Sequence, residues 1–222
     1  MSTLSNVDIE RELGENILIY PFNKTNLKGA SYNLMASKIA WSLSHKNQKN
    51  IYDSVKNSID IEPGDTALIE TYETIWVSKK ICGTYHSRVS QVCHGTGHIG
   101  TNLDPNYIGP SLIAVHNHTK ETYSIEVGKP FISLMFHYVL SDSTIEQHGN
   151  SAGRTEVLAE VGIKPGGQLD ESYMSNKELL KSKLEECHDY KTIKAKRDAE
   201  AEKIKRNCSP QLRCGIANEV TN

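Results

Sequence analysis

The stretch NLDPNYIGPSLIAVHN, residues 102–117, decides the fold of this chain. Its Asp104-Pro105-Asn106 string is typical of a tight turn, because proline presets φ and the side chains of Asp and Asn bond their own backbone. Gly109-Pro110 adds a second break, and the apolar run at 112–116 that follows has the length of a strand. Residues 102–117 therefore predict a turn that leads into a β-strand.

Short apolar or alternating runs of the same kind recur between residue 17 and about residue 140. They lie at residues 17–20, 66–70, 74–77, 123–127 and 131–139. Pro63-Gly64 and Gly128-Lys129-Pro130 stand between them as turn residues. Short strands separated by repeated turns predict a mainly β fold, a compact barrel or sandwich of mostly antiparallel strands.

Helices are predicted at the two ends of the chain. Ser5 is a helix-capping residue, acidic and apolar residues follow it at helical spacing, and Gly14 is a stop signal. These signals predict a short N-terminal helix. Charged residues dominate again from residue 176, where Leu180, Leu184 and Cys187 share one face of a predicted helix or broken helix pair.

These patterns divide the chain into three segments: a β-barrel at 1–140, a loop region at 141–175 and a charged helical extension at 176–222. The loop region has glycines and serines, and its apolar residues follow neither a helical nor a strand period. Because the apolar stripe of the extension is narrow, we expect a solvated or subunit-packing helix, with a partner protein as the alternative.

Composition excludes several classes of function. The 222 residues carry 25 Lys and Arg against 27 Asp and Glu, a formal charge of −2, so the chain has no global electrostatic drive toward a nucleic acid polymer. No apolar run approaches the ~20 residues of a membrane helix, and residues 1–12 lack the apolar core of a signal peptide. The five cysteines form no CxxC pair, which is typical of reduced thiols. We expect a cytoplasmic protein without a membrane partner.

Histidine and cysteine spacing predicts no resident metal site. The HExxH motif and the HxE with PCxxC pattern of zinc deaminases are both absent. His94 and His98 lie in a glycine-rich stretch that forms helices poorly, and His116 and His118 share a predicted strand face, which is common by chance. Cys208 and Cys214 match no familiar zinc spacing.

Several strings occur in the order found in dCTP deaminases. Residues 4–22, LSNVDIERELGENILIYPF, resemble the N-terminal helix of that family and its next strand, which ends in Pro-Phe. ASYNL at 30–34 is similar to its Ser-Tyr-Asp-Leu segment. IEPG at 61–64 and TYETI at 71–75 resemble its Pro-Gly turn and Thr-x-Glu strand. NLDPNYIG at 102–109 resembles its Asp-Pro-Gly-(aromatic)-x-Gly hairpin and the Ile-Asp-x-Asp-Tyr-x-Gly string of the related dUTPases.

This resemblance to the dCTP deaminase and dUTPase superfamily covers about residues 4–139. It implies a dUTPase-like β-barrel of distorted jelly-roll type and a homotrimer with sites at subunit interfaces. It also implies a pyrimidine deoxynucleoside triphosphate as ligand, with Mg²⁺ carried by the triphosphate. A fold can survive the loss of its site, so each site residue is compared separately.

The general base of deamination is altered in this chain. The glutamate with which the family activates water for attack on C4 of cytosine aligns with Ala114, and a methyl group accepts no proton. No acidic residue stands between Ser111 and His118, so deamination would need a non-standard base such as His116. The resemblance therefore implies a nucleotide-binding protein without deaminase activity.

The triphosphate clamp is altered too. The family's Arg-Ser-Ser-x-x-Arg segment aligns with HSRVSQ at 86–91. Ser87 is kept, Arg88 supplies charge from a neighbouring position, and Gln91 replaces the second arginine. Ser87 and Arg88 also fit an ordinary polar strand end. The predicted substrate-binding positions are Ser87, Arg88, Gln91, Tyr107 and Ala114.

Asp104 and Tyr107 keep the family pattern best. Asp104 matches the aspartate that orients water toward the α-phosphate in dUTPases, beside Mg²⁺ on the phosphate oxygens. Tyr107 matches the ring that packs under deoxyribose and excludes a 2′-hydroxyl. Both residues also fit a stable turn followed by a packed aromatic ring. Asp104 is the predicted catalytic residue if the chain is an enzyme.

Three functional hypotheses follow. The first is a nucleotide-binding protein that has lost deaminase chemistry and acts as a regulator, a ligand-sequestering protein or a scaffold. The second is an active enzyme, either a dUTP or dCTP diphosphatase that uses Asp104 or a dCTP deaminase with a non-standard base. The third is a structural trimer whose charged C-terminal helix recruits a partner protein.

Overall fold

The computed structural model describes residues 2–45, 50–145, 155–163 and 172–207. The strands in these ranges are β1 Ser2–Thr3, β2 Ile17–Tyr20, β3 Leu27–Lys28, β4 Ser31–Ser42, β5 Tyr52–Asp53, β6 Ser58–Ile61, β7 Thr66–Val77, β8 Ile81–Ser87, β9 Thr96–Ile99, β10 Asn102–Leu103, β11 Ile108–Asn117, β12 Tyr123–Glu126 and β13 Pro130–Tyr138. The α-helices are α1 Asn6–Glu12, α2 Val89–Cys93, α3 Thr155–Glu160, α4 Lys177–Glu186 and α5 His188–Asn207. Two 3-10 turns lie at Lys24–Asn26 and Ser172–Met174.

One large antiparallel sheet forms the body of the molecule. Its strands follow the order β10-β8-β13-β4-β7-β11-β9, with β1, β2 and β3 pairing at its sides. A smaller sheet pairs β12, β6 and β5. The mainly β architecture predicted from the short apolar runs is confirmed.

The neighbouring strands β7 and β11 separate a closed interior from an outer face. Ile69 pairs with Ile113 across these strands, and both side chains are completely buried in the main core. Leu112 and Ala114 alternate with Ile113 and therefore lie on the outer face. The outer face is the one that positions the site described below.

A capping box begins the N-terminal helix, as the sequence predicts. The Ser5 hydroxyl accepts a hydrogen bond from the backbone N–H of Asp8 at 3.2 Å. The Asp8 carboxylate in turn accepts one from the backbone N–H of Ser5 at 3.0 Å. Both bonds satisfy donors that the first helical turn leaves unpaired.

The C-terminal helices pack onto the barrel. Leu180, Leu184 and Tyr190 join the main core, and the phenol of Tyr190 fills the space above Gly14, where an added Cβ would lie 2.0 Å from its oxygen. The Arg197 guanidinium donates to the backbone carbonyl of Leu13 at 3.1 Å. The predicted apolar stripe thus faces the barrel. Cys208 and Cys214 lie outside the described residues.

The region from 141 to 175, expected to be a loop, contains the short helix α3 in its described part. Leu158 and Ile163 are buried there and form a second apolar cluster with Trp41 on the outer face of the large sheet. Leu68 and Leu112 pack against the same cluster. Among the described residues, no helix has the length and apolarity needed to cross a bilayer.

Candidate functional site

A cleft of about 380 Å³ opens where the start of β11 meets β8 and the edge strand β10. Side chains from both edges of this opening, including the predicted positions Asp104 and Tyr107, form its walls. The lining residues are Tyr85, Thr101, Asn102, Asp104, Tyr107, Ser111 and Leu112. The structure therefore brings together the two residues that match the family pattern best.

A tight turn presents Asp104 and Tyr107 to the cleft. The backbone N–H of Tyr107 donates to the carbonyl of Asp104 at 3.3 Å, and Asn106 between them has φ of 63°, a conformation that asparagine tolerates well. The Tyr107 phenol donates to the carbonyl of Pro110 at 2.5 Å, and the ring is 3% exposed. Gly109 has φ of 139°. The aromatic ring is thus fixed, while Asp104 is exposed at the rim.

Tyr85 and Ser111 form a polar wall that no sequence pattern indicated. Their hydroxyl oxygens lie 2.5 Å apart, and either can donate. The backbone N–H of Ser111 donates to the Thr71 hydroxyl at 2.8 Å. These two residues come from separate strands, so only the fold reveals that they meet.

Residues 87–91, which we call the β8–α2 corner, place the other predicted binding residues. The Ser87 hydroxyl accepts a hydrogen bond from the backbone N–H of His98 at 2.9 Å and lies 2.8 Å from Nδ1 of that histidine. The Arg88 guanidinium donates to the carbonyl of Pro130, and Gln91 Oε1 accepts from the backbone N–H of Arg88 at 3.4 Å. Within the single chain, these three side chains bind their own fold and do not line the cleft.

Ala114 lies in an apolar part of the outer face. Its partners across the two neighbouring ladders are Leu68 on β7 and Ile99 on β9. His116, the nearest alternative base on the same strand face, has Nδ1 2.8 Å from the Thr66 hydroxyl. Its ring contacts that of His118, with the ring centroids 4.1 Å apart.

Two buried acids on β7 were not anticipated from the sequence. Glu70 is 4% exposed, and burial raises the pKa of its carboxyl to about 7. Glu73 is completely buried, and burial raises its pKa to about 8 although Oε2 accepts a hydrogen bond from the backbone N–H of Met35 at 2.9 Å. Alternating patterns hide such residues, because an acid within a strand is normally assigned to the solvent side.

The donor set does not form a cage for a resident metal. In the part of the chain that the structure describes, no group of three or more His, Cys, Asp or Glu side chains converges. A single exposed carboxylate such as Asp104 fits a different arrangement, in which Mg²⁺ arrives with the phosphates of a nucleotide and takes most of its ligands from them and from water.

A family model described as dCTP deaminase-like matches residues 3–139 of this chain. The match extends over more than half of the sequence. The chain belongs to the dCTP deaminase-like family. This confirms the recognition made from the ordered strings and the dUTPase-like fold that it implied.

Similar proteins with curated names include two archaeal dCTP deaminases. That of Pyrococcus horikoshii is 24% identical over 147 residues, which cover 66% of this chain and 92% of that protein. That of Thermococcus sibiricus is 27% identical over 128 residues, covering 58% and 80%.

Solved structures of the superfamily are more distant. The dCTP deaminase of Agrobacterium tumefaciens is 11% identical with a TM-score of 0.49, covering 60% of this chain and 47% of that one, so the chain spans about half of its length. The EIAV dUTPase is 18% identical with a TM-score of 0.42, covering 61% and 98%. A dUTPase from phage phi11 of S. aureus, whose structure shows a structural Mg(II) ion, is 13% identical with a TM-score of 0.43, covering 62% and 100%.

Proposed function

We propose that this protein binds a pyrimidine deoxynucleoside triphosphate and does not carry out the deamination of its relatives. One observation carries the proposal: the cleft keeps Asp104 and Tyr107, while the position at which the family has its general base is occupied by Ala114. Binding and catalysis depend on different side chains, so one can persist without the other.

Tyr107 suits the sugar of such a ligand. Its ring is held by the hydrogen bond to Pro110 and offers a flat surface in the cleft wall. A fixed ring close under a ribose leaves no room for a 2′-hydroxyl, which favours deoxynucleotides. Asp104 is exposed at the rim of the cleft, where its carboxylate can meet a Mg²⁺-bound triphosphate.

The second half of the site is proposed to come from a neighbouring subunit in a homotrimer. The cleft contains no cationic side chain among its lining residues, and a triphosphate needs positive charge. Arg88 in the β8–α2 corner supplies such a charge but lies away from the cleft of its own chain. A trimer would bring the corner of one subunit to the cleft of the next.

Deamination lacks a group at the position that requires one. Attack of water on C4 needs a base to accept a proton, and neither Ala114 nor its ladder partners Leu68 and Ile99 can do so. His116 lies on the same face but is already paired with Thr66. Loss of this chemistry points to a regulatory, sequestering or scaffolding role.

Hydrolysis is the second candidate function, because Asp104 is exposed at the cleft rim. A carboxylate there can orient a water molecule toward the α-phosphate, and phosphoryl transfer depends mainly on positioning and electrostatics. Such an enzyme would release dUMP or dCMP and leave the base unchanged.

Two measurements test these functions. One is the binding of dCTP and dUTP to the protein, and the other is chromatography of both nucleotides after incubation with the protein and Mg²⁺. We expect both nucleotides to bind and to remain intact. The variant Ala114→Glu serves as the comparison, since a regained conversion of dCTP to dUTP would show that the pocket still holds cytosine in the orientation of its relatives. Formation of dUTP by the unaltered protein would refute the loss of deamination, and formation of dUMP or dCMP would establish hydrolysis.

A further inference from the structure

Glu70 is an ionisable residue of β7 that has no role in the proposed function. It is a ladder neighbour of the cleft wall. It pairs directly with Leu112 across β7 and β11, and Leu112 lines the cleft. Side chains that are directly opposite in an antiparallel pair lie on one face, with Cβ atoms about 5 Å apart. The next pair on this face joins Leu68 to Ala114.

The surroundings of Glu70 leave its carboxyl unused by the fold. Glu70 as a residue is 4% exposed, and no hydrogen bond or ion pair joins its carboxyl group to any other residue that the structure describes. A buried polar group without a partner costs stability, so its presence in a strand calls for a compensating interaction. Ala114, diagonal to it on the same face, carries only a methyl group.

We propose that Glu70 recognises the hydrogen-bonding edge of the pyrimidine base, with its neutral carboxyl group donating one hydrogen bond and accepting another. This inference rests on the proposed binding of a pyrimidine deoxynucleotide in the cleft. A carboxylic acid offers one O–H donor beside one acceptor. Cytosine presents N3 and its amino group, and uracil presents N3–H and O4, so either edge can form both bonds.

The surroundings of Glu70 favour its neutral, protonated form over its charged carboxylate. Burial is the cause that raises the pKa of Glu70 to about 7. The titratable groups with described side chains on the elements around it are His116 on β11, Tyr32 and Lys38 on β4, and Glu160 on α3. None of them is among the causes of the shift, so the charge of Glu70 depends on its own burial.

Binding of dCTP and dUTP with Mg²⁺, measured by calorimetry between about pH 6 and pH 8.5, tests this assignment. Since only the protonated acid makes both bonds, affinity should fall about thirtyfold over this range. In Glu70→Gln, whose amide keeps a donor and an acceptor at every pH, the fall should disappear. N3-methyl-dUTP, which cannot pair along this edge, should bind weakly at every pH.

Glu73→Gln is the matched control, because it changes a second buried acid of the same strand, one whose carboxylate already accepts a hydrogen bond from the backbone N–H of Met35. It should keep the pH dependence of the unaltered protein. Circular dichroism and thermal unfolding establish that each variant is folded, and Glu70→Leu provides a second test in which binding should be weak at every pH. Equal pH profiles for the unaltered protein and Glu70→Gln would overturn the role of Glu70 while leaving nucleotide binding intact. No binding of either nucleotide at any pH would overturn the proposed function itself, and the role of Glu70 with it.

Discussion

The turn at 104–107 and the β8–α2 corner at 87–91 both match site strings of the family, but they use their polar groups differently. In the turn, Asp104 remains exposed and the Tyr107 ring faces the cleft. In the corner, Ser87 is bonded to His98, and Arg88 is bonded to a backbone carbonyl. The side chains of the turn are available to a ligand in the cleft, whereas the polar groups of the corner already have hydrogen-bond partners within the chain.

A sequence motif therefore specifies which residues occupy a segment, but not whether their side chains face a ligand or bond to the rest of the fold. The turn is local, so its geometry follows from four neighbouring residues. The corner depends on distant strands, because its side chains form hydrogen bonds with His98 on β9 and with the carbonyl of Pro130 on β13. A neighbouring subunit would have to offer Arg88 a better partner than Pro130 for the corner to serve a phosphate.

Tyr107→Ala should have the largest effect on the turn. Truncation of a buried aromatic side chain costs about 3–5 kcal/mol of unfolding free energy, and the cleft would lose its flat wall. Chemical denaturation and nucleotide titration should show a large loss of both stability and binding. Tyr107→Phe is the control, since it keeps the aromatic ring and removes the hydroxyl that donates to Pro110, at a cost of about 1 kcal/mol. Full affinity in Tyr107→Ala would contradict the assignment of the ring to the sugar.

Ser87→Ala should have a smaller effect, located in the corner. It leaves the backbone N–H and Nδ1 of His98 without their partner, which costs about 1–3 kcal/mol. Ser90→Ala, at an exposed position on α2, is the matched control and should be nearly neutral. A neutral Ser87→Ala would show that the corner does not use this hydroxyl for its own stability.

The pH dependence of the corner sharpens this test. Burial lowers the pKa of His98, so the folded chain holds its proton less tightly than the unfolded chain, whose histidine titrates near pH 6.5. The unfolded state therefore binds more protons below about pH 6.5, and stability is lost as the pH falls through that value. Denaturation of the unaltered protein and of His98→Gln at pH 5 and pH 7.5 should show this loss as a difference between the two proteins. The raised pKa values of Glu70 and Glu73 act in the opposite direction but are common to both.

The sequence was sufficient for the parts of the fold that follow simple alternation. β2 was predicted with its observed bounds, and the two runs predicted at 66–70 and 74–77 are one strand, β7. The long strands β4 and β8 were not predicted. β4 contains alanines and a register shift between Ala36 and Ala40 that breaks its alternation, and the ICGTYHS sequence of β8 is largely polar.

The site was predictable only where it is local. Asp104 and Tyr107 could be found because a single turn holds both, and their proximity in the cleft agrees with that expectation. Tyr85, Ser111 and Glu70 come from three different strands, so their contribution depends on register across the sheet. The predicted roles of all six site residues stay predictions, because they depend on a ligand or a neighbouring subunit; the six are Ser87, Arg88, Gln91, Asp104, Tyr107 and Ala114.

Asp104→Asn should have the smallest effect on stability and is therefore the cleanest test of the turn. The side chain is exposed and asparagine is an equally good turn residue, so the unfolding free energy should change by less than about 0.5 kcal/mol. Burial raises the pKa of the Cys82 thiol, and the negative charge of Asp104 adds to that rise. Removing the charge should lower the thiol pKa and speed alkylation of Cys82 near pH 8, as measured by mass spectrometry of the labelled peptide. If the unaltered protein hydrolyses a nucleotide slowly, loss of that activity in Asp104→Asn would assign the reaction to Asp104. Faster alkylation with unchanged hydrolysis would show that the carboxylate affects the Cys82 thiol without taking part in the reaction.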